Sequence, residues 1–201
     1  MNSTGNRPIT YVSWFDCARF SNWMSNGQPR GAQDYSTTEN GAYNVNGATT
    51  GNAVAKNLTN PKTGLAPTFR IPLENEWYKA AYYTRAAILG GYHTFATQSD
   101  TDPGTTIGRS PNQANYNNAI GHATDVGSFS GSGSFYGTFD QTGNVQQWND
   151  LDGTAGSSRG VRGGEWFSLN SLFVSSSDRG NMLVTTGEGT FYLGFRLASP
   201  V

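Results

Sequence analysis

Residues 161–166 read VRGGEW and residues 193–198 read LGFRLA, and these two segments decide the fold class of the chain. Residues 160–166 and 193–197 alternate between apolar residues and polar or small ones, as the strands of an antiparallel sheet do. The adjacent glycines of the first segment indicate a place where two backbone segments come close or where φ is positive. The two segments therefore predict a small antiparallel sheet in the carboxyl-terminal part of the chain.

Two helices are predicted upstream of this sheet. Residues 14–25 place apolar side chains at helical spacing, and Ser13 and Asp16 form a capping-box-like pair at their start. Residues 74–83 (ENEWYKAAYY) carry acidic residues in their first turn, which suits the helix dipole. Leu73 stands at the cap position of this second helix, where it supplies no side-chain acceptor for the free N–H groups.

Small and polar residues dominate the composition. Gly, Asn, Ser and Thr account for 86 of the 201 residues, whereas charged residues make up 13% and the formal net charge is −1. A coiled coil or helical bundle is excluded by this composition, and the 13% of aromatic residues argues against a disordered chain. Because no Gly- or Pro-rich linker separates two cores, we expect one α+β domain over residues 1–201, rich in ordered loops.

Several classes of protein are excluded by what the sequence lacks. No run of 18 apolar residues is present, which argues against a membrane span, and no signal peptide opens this chain. Nucleic acid is not expected as a partner, because Lys and Arg are not clustered. Cys17 is the single cysteine, so we expect a small buried apolar residue rather than a disulfide or a zinc ligand. The two histidines, His93 and His122, do not have the spacing of a metal-binding pair.

Four segments lie in a characteristic order along the chain. They are VSWFDCARFSNW at 12–23, FRIPLENEWYKAA at 69–81, YGTFDQTGNVQQW at 136–148, and the VRGGEW and GFRLA segments already quoted. In this order and spacing they resemble the sulfatase-modifying-factor family, that of the formylglycine-generating-enzyme domain, from about residue 8 to about residue 199. The resemblance implies a C-type-lectin-like α+β fold that is loop-rich, with a short antiparallel sheet and two helices.

The resemblance also implies that the family's amino-terminal strands are missing here, since residues 1–12 are too few to hold them. Ile9, Tyr11 and Val12 alternate like a short strand, and we expect them to line an exposed apolar edge. An exposed edge can pair with the same edge of a second chain, and such pairing would form a homo-oligomer.

Oxidative catalysis is argued against by the same resemblance. Catalytic members of the family oxidise a substrate cysteine with a copper ion, which two cysteines hold shortly after the Arg-Gly-Gly motif. Those positions fall on Ser168 and Phe173, and neither side chain supplies a thiolate, so no copper is expected. The related ergothioneine-type sulfoxide synthases need an iron-binding histidine cluster, which two separated histidines do not provide.

Calcium is the cofactor that the resemblance implies, as one or two structural ions held by loop oxygens. The first site carries over as the side chains of Asp140 and Gln147 with the carbonyls of Gly143 and Val145. The second carries over as the side chains of Asn115 and Asn118 with the carbonyls of Tyr116 and Ile120. For the first loop an alternative remains, namely a turn in which Asp140 accepts hydrogen bonds from backbone N–H groups.

The segment between the two quoted strands mixes aromatic and small polar residues, as the binding surfaces of recognition loops do. The expected ligand-binding residues are Trp166, Phe167, Ser168, Asn170, Phe173 and Arg179. The resemblance implies display of a ligand by this region, as in variable proteins of diversity-generating retroelements; a solvated loop is the alternative. We therefore expect a non-catalytic, calcium-stabilised, lectin-like recognition domain, bacterial and outside the cytoplasm, with a small molecule, a glycan or a protein as its ligand.

An alternative function is a calcium-dependent hydrolase that acts on an ester or a lactone. His122 lies three residues from Asp125 and close in sequence to the second calcium loop. A carbonyl polarised by calcium, with His122 as the general base, would make a workable catalytic arrangement. A hydrolysis assay with and without a chelator distinguishes this alternative from a recognition domain.

Overall fold

The computed structural model describes residues 5–85 and 91–199, and it confirms an α+β fold that is rich in loops. The elements, in chain order, are α1 Trp14–Ser25, α2 Glu74–Tyr82, β1 Gln146–Asn149, β2 Ser158–Arg162, a 3-10 helix Ser171–Val174, β3 Gly180–Leu183 and β4 Leu193–Gly194. No helix in these two ranges is long and apolar enough to cross a membrane.

The first helix has the bounds that the sequence predicts. Ser13 Oγ accepts a hydrogen bond from the Asp16 backbone N–H at 3.2 Å, and Asp16 Oδ2 accepts one from the Ser13 backbone N–H at 2.9 Å. These reciprocal bonds form the predicted capping box and satisfy two N–H groups that an open helix end would leave free. Cys17 is fully buried on the inner face of the helix, as predicted.

The second helix begins at the predicted residue and ends one residue early, at Tyr82. Leu73 has no acceptor to offer at the cap, so Glu76 Oε2 accepts the Leu73 N–H instead, at 2.8 Å. Both oxygens of Glu76 also accept hydrogen bonds from the Arg70 guanidinium at 2.5 Å. Glu76 thus supplies one half of a capping box, and the first-turn N–H of Glu74 donates to the Leu151 carbonyl at 2.9 Å.

The sheet is mixed rather than purely antiparallel. Its strand order is β3-β2-β1-β4; β2 is antiparallel to both β1 and β3, whereas β4 runs parallel to β1. The antiparallel pairing predicted for residues 193–197 was therefore wrong, because the chain enters β4 in the direction of β1, with Leu193 opposite Gln146. The strand predicted over 160–166 ends at Arg162, since Gly163 and Gly164 have φ values of +94° and +63°.

The apolar core joins α1 to the sheet through large aromatic side chains. Its main cluster consists of Trp14, Phe15, Cys17, Ala18, Ala42, Tyr43, Val45, Ala53, Ile71, Trp148, Val161, Val184 and Leu193. A second cluster surrounds Trp77 on α2 with Ala81, Tyr82 and Ala96. Tryptophans thus fill a space that short strands alone would not enclose.

Buried amide side chains order the long loop between the two helices. Asn22 on α1 donates from Nδ2 to the carbonyls of Thr38 and Tyr43, at 2.7 and 2.9 Å, and accepts the Tyr43 N–H at 2.8 Å. Asn60 donates in the same way to the Ser25 carbonyl at the end of α1. These bonds satisfy the loop backbone where no strand partner is available.

Residues 9–12 do not form the short strand that their alternation predicts. Tyr11 has φ of +60°, which lies in the left-handed region, and this turns the chain before α1. Ile9 and Tyr11 are exposed as predicted, whereas Val12 is half-buried against the core.

Candidate functional site

The predicted ligand face is built around four aromatic rings, which we term the aromatic cluster: Trp166, Phe167, Phe191 and Tyr192. Phe167 meets Trp166 edge-on at 5.0 Å between ring centroids and stacks on Phe191 at 5.5 Å. Tyr192 packs edge-on against both Phe167 and Phe191. Phe191 is 48% exposed, so the cluster presents an aromatic surface to solvent. The sequence predicted the first two rings and missed the last two, which lie beside the quoted GFRLA segment.

A short apolar ridge, formed by Leu169, Leu172 and Phe173, follows the cluster in the chain. All three side chains are exposed, Phe173 by 56%. Asn170 lies among them and has a structural role, because its Oδ1 caps the 3-10 helix by accepting the Leu172 N–H at 2.9 Å. The ridge presents apolar side chains at the position where catalytic members of the resembled family carry a cysteine.

Ser168 connects the ligand face to the loop around Asn115. Its side chain is buried, and its Oγ accepts the Glu165 N–H at 3.2 Å. The backbone N–H groups of Asn117 and Asn118 donate to the carbonyls of Ser168 and Trp166, at 2.8 and 2.9 Å. The loop predicted to hold the second calcium ion therefore supports the ligand face directly.

Arg179 lies outside the aromatic cluster. Its Nε contacts Glu74 Oε1 at 3.2 Å, and Arg162 Nε binds the same oxygen at 2.5 Å. The Arg179 side chain is 52% exposed and lines a polar cleft between the start of α2 and strands β2 and β3. The six predicted ligand-binding residues are thus divided between two surfaces.

The first predicted calcium loop does not leave its side-chain oxygen free. Gln147 Oε1 accepts hydrogen bonds from Trp77 Nε1 at 2.9 Å and from Arg196 Nε at 2.6 Å, and Gln147 Nε2 donates to the Asp140 carbonyl at 2.8 Å. A guanidinium beside this oxygen also repels a cation. The residues therefore do not fit calcium at this loop, although the carbonyls of Gly143 and Val145 lie in the same segment.

Asp140 takes part in a turn in the same loop. Its Oδ2 accepts the Gly127 N–H at 2.8 Å, and its backbone has φ of +58°. Burial raises the pKa of Asp140, against the opposing effects of the Gly127 hydrogen bond and the Arg196 charge. Burial also lowers the pKa of the Arg196 guanidinium to about 10. The structure thus places the Arg196 guanidinium, a positive charge, beside Gln147 Oε1.

The second predicted calcium loop contains an unpaired oxygen. Asn115 is almost fully buried, and in residues 5–85 and 91–199 its Oδ1 has no hydrogen-bond partner. Its Nδ2 donates to the His122 carbonyl at 3.0 Å and to Asn144 Oδ1 at 3.2 Å, which fixes the side chain. A buried oxygen without a partner loses its hydration without compensation, and a cation would restore that loss. The unpaired Asn115 Oδ1 is thus compatible with a bound cation, and Tyr116, Asn118 and Ile120 are the residues that would complete the predicted site.

The residues of the hydrolase alternative make other contacts. His122 is exposed, and its Nδ1 lies 2.9 Å from the Ala123 carbonyl, so Nδ1 carries the proton in the neutral ring. Asp125 Oδ1 lies 4.0 Å from Arg7 Nε. Among the described residues, no group of three or more His, Cys, Asp and Glu side chains is arranged to hold a metal ion. No specific observation favours the hydrolase.

Comparison with known proteins gives a family match and a set of similar folds. A family model, described as the sulfatase-modifying factor enzyme 1-like domain, matches residues 1–201. Among curated proteins no match was found.

Three solved structures share the fold. Treponema denticola variable protein 1 is 22% identical, with a TM-score of 0.52 over 98% of this chain and 72% of that one. CarF is 18% identical, with a TM-score of 0.59 over 100% of this chain and 70% of that one. PvdO from Pseudomonas aeruginosa is 17% identical, with a TM-score of 0.55 over 100% of this chain and 65% of that one. At these identities the likeness concerns the fold alone.

Proposed function

The chain belongs to the family of sulfatase-modifying factor enzyme 1-like domains, and from this premise we propose that it is a non-catalytic recognition domain, lectin-like in fold and stabilised by calcium. The observation that carries the proposal is the buried, unpaired Oδ1 of Asn115 in a loop that is hydrogen-bonded to the ligand face. The other features of the site agree with it.

The absence of catalysis is supported by the two positions that would hold copper. Ser168 is buried with its hydroxyl in a turn, and Phe173 projects into solvent from the apolar ridge. Cys17 is buried in the main core cluster, and burial raises the pKa of its thiol well above the ordinary value. A thiolate that could bind a soft metal or attack a substrate is therefore not formed there.

Calcium would act here as a structural ion. Bound at Asn115, it would attract the oxygens of the loop and hold the loop in one conformation. The N–H groups of Asn117 and Asn118 donate to the carbonyls of Ser168 and Trp166, so an ordered loop would also hold the ligand face in place. No carboxylate is among the four residues, which favours weak binding of the kind seen in extracellular modules. We therefore propose that the domain works outside the bacterial cytoplasm, because calcium is abundant there.

The experiment that tests the calcium proposal is a melting curve of the whole chain with added calcium and with a chelator. An ion bound to the folded state alone at a hundred times its Kd stabilises by about 2.7 kcal/mol. For a domain of this size, that corresponds to roughly 5–10 °C in Tm. Asn115→Ala should abolish the difference between the two curves.

The matched control is Asn60→Ala. Asn60 is equally buried and also donates from its amide to backbone, at the Ser25 carbonyl, but it lies far from the calcium loop in the sequence. It should lower Tm and keep the calcium response. Melting curves that do not respond to the chelator, or a response that survives in Asn115→Ala, would contradict the proposal.

A second experiment tests the absence of formylglycine-generating activity. The chain is incubated with copper and a peptide that contains the sequence Cys-x-Pro-x-Arg, and the product is analysed by mass spectrometry. We expect the cysteine to remain unconverted, because Ser168 and Phe173 cannot bind copper. Copper-dependent conversion of the peptide would refute the non-catalytic assignment.

A further inference from the structure

A polar cleft of about 640 Å³ lies where the start of α2 meets the loop after β1 and the edge of β2 and β3. Its walls include Leu73, Glu74, Leu151, Asp152, Arg179 and Asn181. The volume is in the range of sites for small ligands. Of the ligand-binding residues predicted from the sequence, the cleft contains Arg179 alone.

The loop wall of the cleft is held in place by a buried guanidinium. Arg159 Nε donates to Asp150 Oδ1 at 2.6 Å, and its Nη2 donates to the Thr154 carbonyl at 2.8 Å. On the far side of the loop, Gly156 and Ala53 exchange two backbone hydrogen bonds, at 2.8 and 3.1 Å. The wall is therefore formed before any ligand binds, which lowers the entropic cost of binding.

The polar ends of the side chains in the cleft are available to a ligand. Asp152 Oδ1 accepts two hydrogen bonds from Thr154, and these bonds lower the pKa of Asp152, so the carboxylate is ionised. Both of these bonds end on Oδ1, which leaves Oδ2 open to a ligand. Glu74 holds Arg179 through Nε, which leaves both terminal nitrogens of that guanidinium without a partner in the same part of the chain. Asn181 is exposed, and its amide makes no hydrogen bond within residues 5–85 and 91–199.

The charges select the class of ligand. A purely anionic ligand would meet the carboxylates of Asp152 and Glu74, and a purely cationic one would meet Arg179. Hydroxyl groups both donate and accept, so neighbouring hydroxyls can donate to Asp152 while they accept from Arg179 and Asn181. Leu73 and Leu151 are half-buried and offer apolar surface to the C–H groups of such a molecule.

We propose that this cleft binds a neutral polyhydroxylated ligand, a carbohydrate, through Asp152, Arg179 and Asn181. The inference rests on the proposed function, since it names the ligand class of the recognition domain and places the ligand in the cleft rather than on the aromatic cluster. Calcium has no part in the contacts with the ligand.

The test is an array of immobilised oligosaccharides in three classes: neutral hexoses, uronic acids and glucosamines. The whole chain should bind members of the neutral class. The neutral oligosaccharide that gives the strongest signal is then titrated against variants by calorimetry. Asp152→Ala and Asn181→Ala should each weaken binding by about tenfold or more, because each removes a direct hydrogen bond to the ligand.

Asp34→Ala is the matched control, because Asp34 is exposed and makes the same kind of turn with Ser36, at 2.7 and 2.6 Å, outside the cleft. It should bind as the parent does. Binding to no glycan, or only to the acidic or the aminated class, would overturn the proposal. Loss of neutral-glycan binding in Phe173→Ala, with Asp152→Ala unaffected, would overturn the cleft as the site and leave the recognition function standing.

Discussion

At the scale of single residues, the buried charge of Arg159 contacts side chains from several parts of the fold. It is almost fully buried, it pairs with fully buried Asp150, and its guanidinium lies 4.8 Å from the Trp14 ring centroid. Tyr43 donates its hydroxyl to the other Asp150 oxygen at 3.0 Å. The pair thus connects α1, the long loop and the sheet, and its removal should be felt in all three.

Asp150→Ala is expected to lower the free energy of unfolding by about 3–5 kcal/mol, because it leaves the buried Arg159 charge without its carboxylate. Urea unfolding followed by tryptophan fluorescence measures the change. Asp34→Ala, at an exposed carboxylate, should lower the free energy of unfolding far less than Asp150→Ala does. Equal losses of unfolding free energy in the two variants would show that the buried Asp150–Arg159 pair contributes no more to stability than an exposed carboxylate.

Gly143 tests the close approach of two loops. It has φ of +75°, and a Cβ there would overlap the Asn115 carbonyl oxygen. Gly137 has nearly the same φ, +74°, with open space around it. Gly137→Ala should therefore cost about 1–2 kcal/mol for backbone strain alone. Gly143→Ala should cost about 1–3 kcal/mol more, for overlap.

The comparison is made by chemical denaturation of both variants, followed by melting curves with added calcium and with a chelator. Since the overlap moves the backbone of Asn115, Gly143→Ala should also reduce the calcium response, and Gly137→Ala should not. Identical losses of stability would mean that the loops separate without cost.

At the scale of secondary-structure elements, the sequence predicts the helices well and the strands poorly. Helix α1 is marked by a local signal, the Ser13 and Asp16 capping box, and its bounds were correct. Strand β4 has two residues and a partner that lies 47 positions upstream, so its direction depends on the path of the whole chain. Local alternation contains no information on that path.

The same reasoning explains what could be predicted of the site. Trp166 and Phe167 of the aromatic cluster stand in one segment and were recognised from composition, whereas Phe191 and Tyr192 stand in a later segment and were missed. The contacts of Gln147 with Trp77 and Arg196 join residues that lie 70 and 49 positions apart. Nothing in the QTGNVQQW segment reveals that Gln147 Oε1 already accepts two hydrogen bonds. Arg196 stands in the quoted GFRLA motif, but its partner becomes visible only in the folded chain.

The start of α2 should make stability depend on pH in the acid range. Hydrogen bonds from Arg70 lower the pKa of Glu76 below its ordinary value of 4.5, against the effect of burial. A carboxylate with a lowered folded-state pKa contributes stability above its unfolded pKa, and that contribution is lost as pH falls through the folded value. Glu76→Gln should therefore flatten the fall in stability below about pH 4.5.

Urea midpoints measured across the acid range give the slope for the parent and the variant. Glu188→Gln, at an exposed side chain, serves as the control and should keep the slope of the parent. The explanation fails if Glu76→Gln and the parent lose stability in parallel as the solution is acidified.

At the scale of the whole molecule, side-chain hydrogen bonds replace much of the regular structure. Within residues 5–85 and 91–199, four short strands, two α-helices and one 3-10 helix leave most of the backbone in loops. Buried Asn22, Asn60 and Asn144 hydrogen-bond to that backbone from within. A scaffold of this kind presents fixed loops at its surface, which suits the two candidate binding surfaces, the aromatic cluster and the polar cleft. It also leaves an apolar groove at the surface uncovered.

The groove has a volume of about 660 Å³ and lies beside α1, lined mainly by Ile9, Val12, Phe20, Phe195 and Leu197. Tyr11 is 71% exposed next to it, held outward by its left-handed backbone. Exposed apolar surface of this extent favours association with another apolar surface. The expected consequence is concentration-dependent self-association of the chain.

Ile9→Lys should reduce this association, because a charge in the groove must be desolvated when a second surface covers it. Light scattering after size-exclusion chromatography, over a range of loading concentrations, gives the mass of the species present. Leu58→Lys is the matched control, since Leu58 is 80% exposed and lies outside the groove. The parent and Leu58→Lys should shift to larger mass as concentration rises, while Ile9→Lys should stay closer to the monomer mass of 21.6 kDa. A parent chain that remains strictly monomeric at the highest concentration would show that water covers the groove at no significant cost.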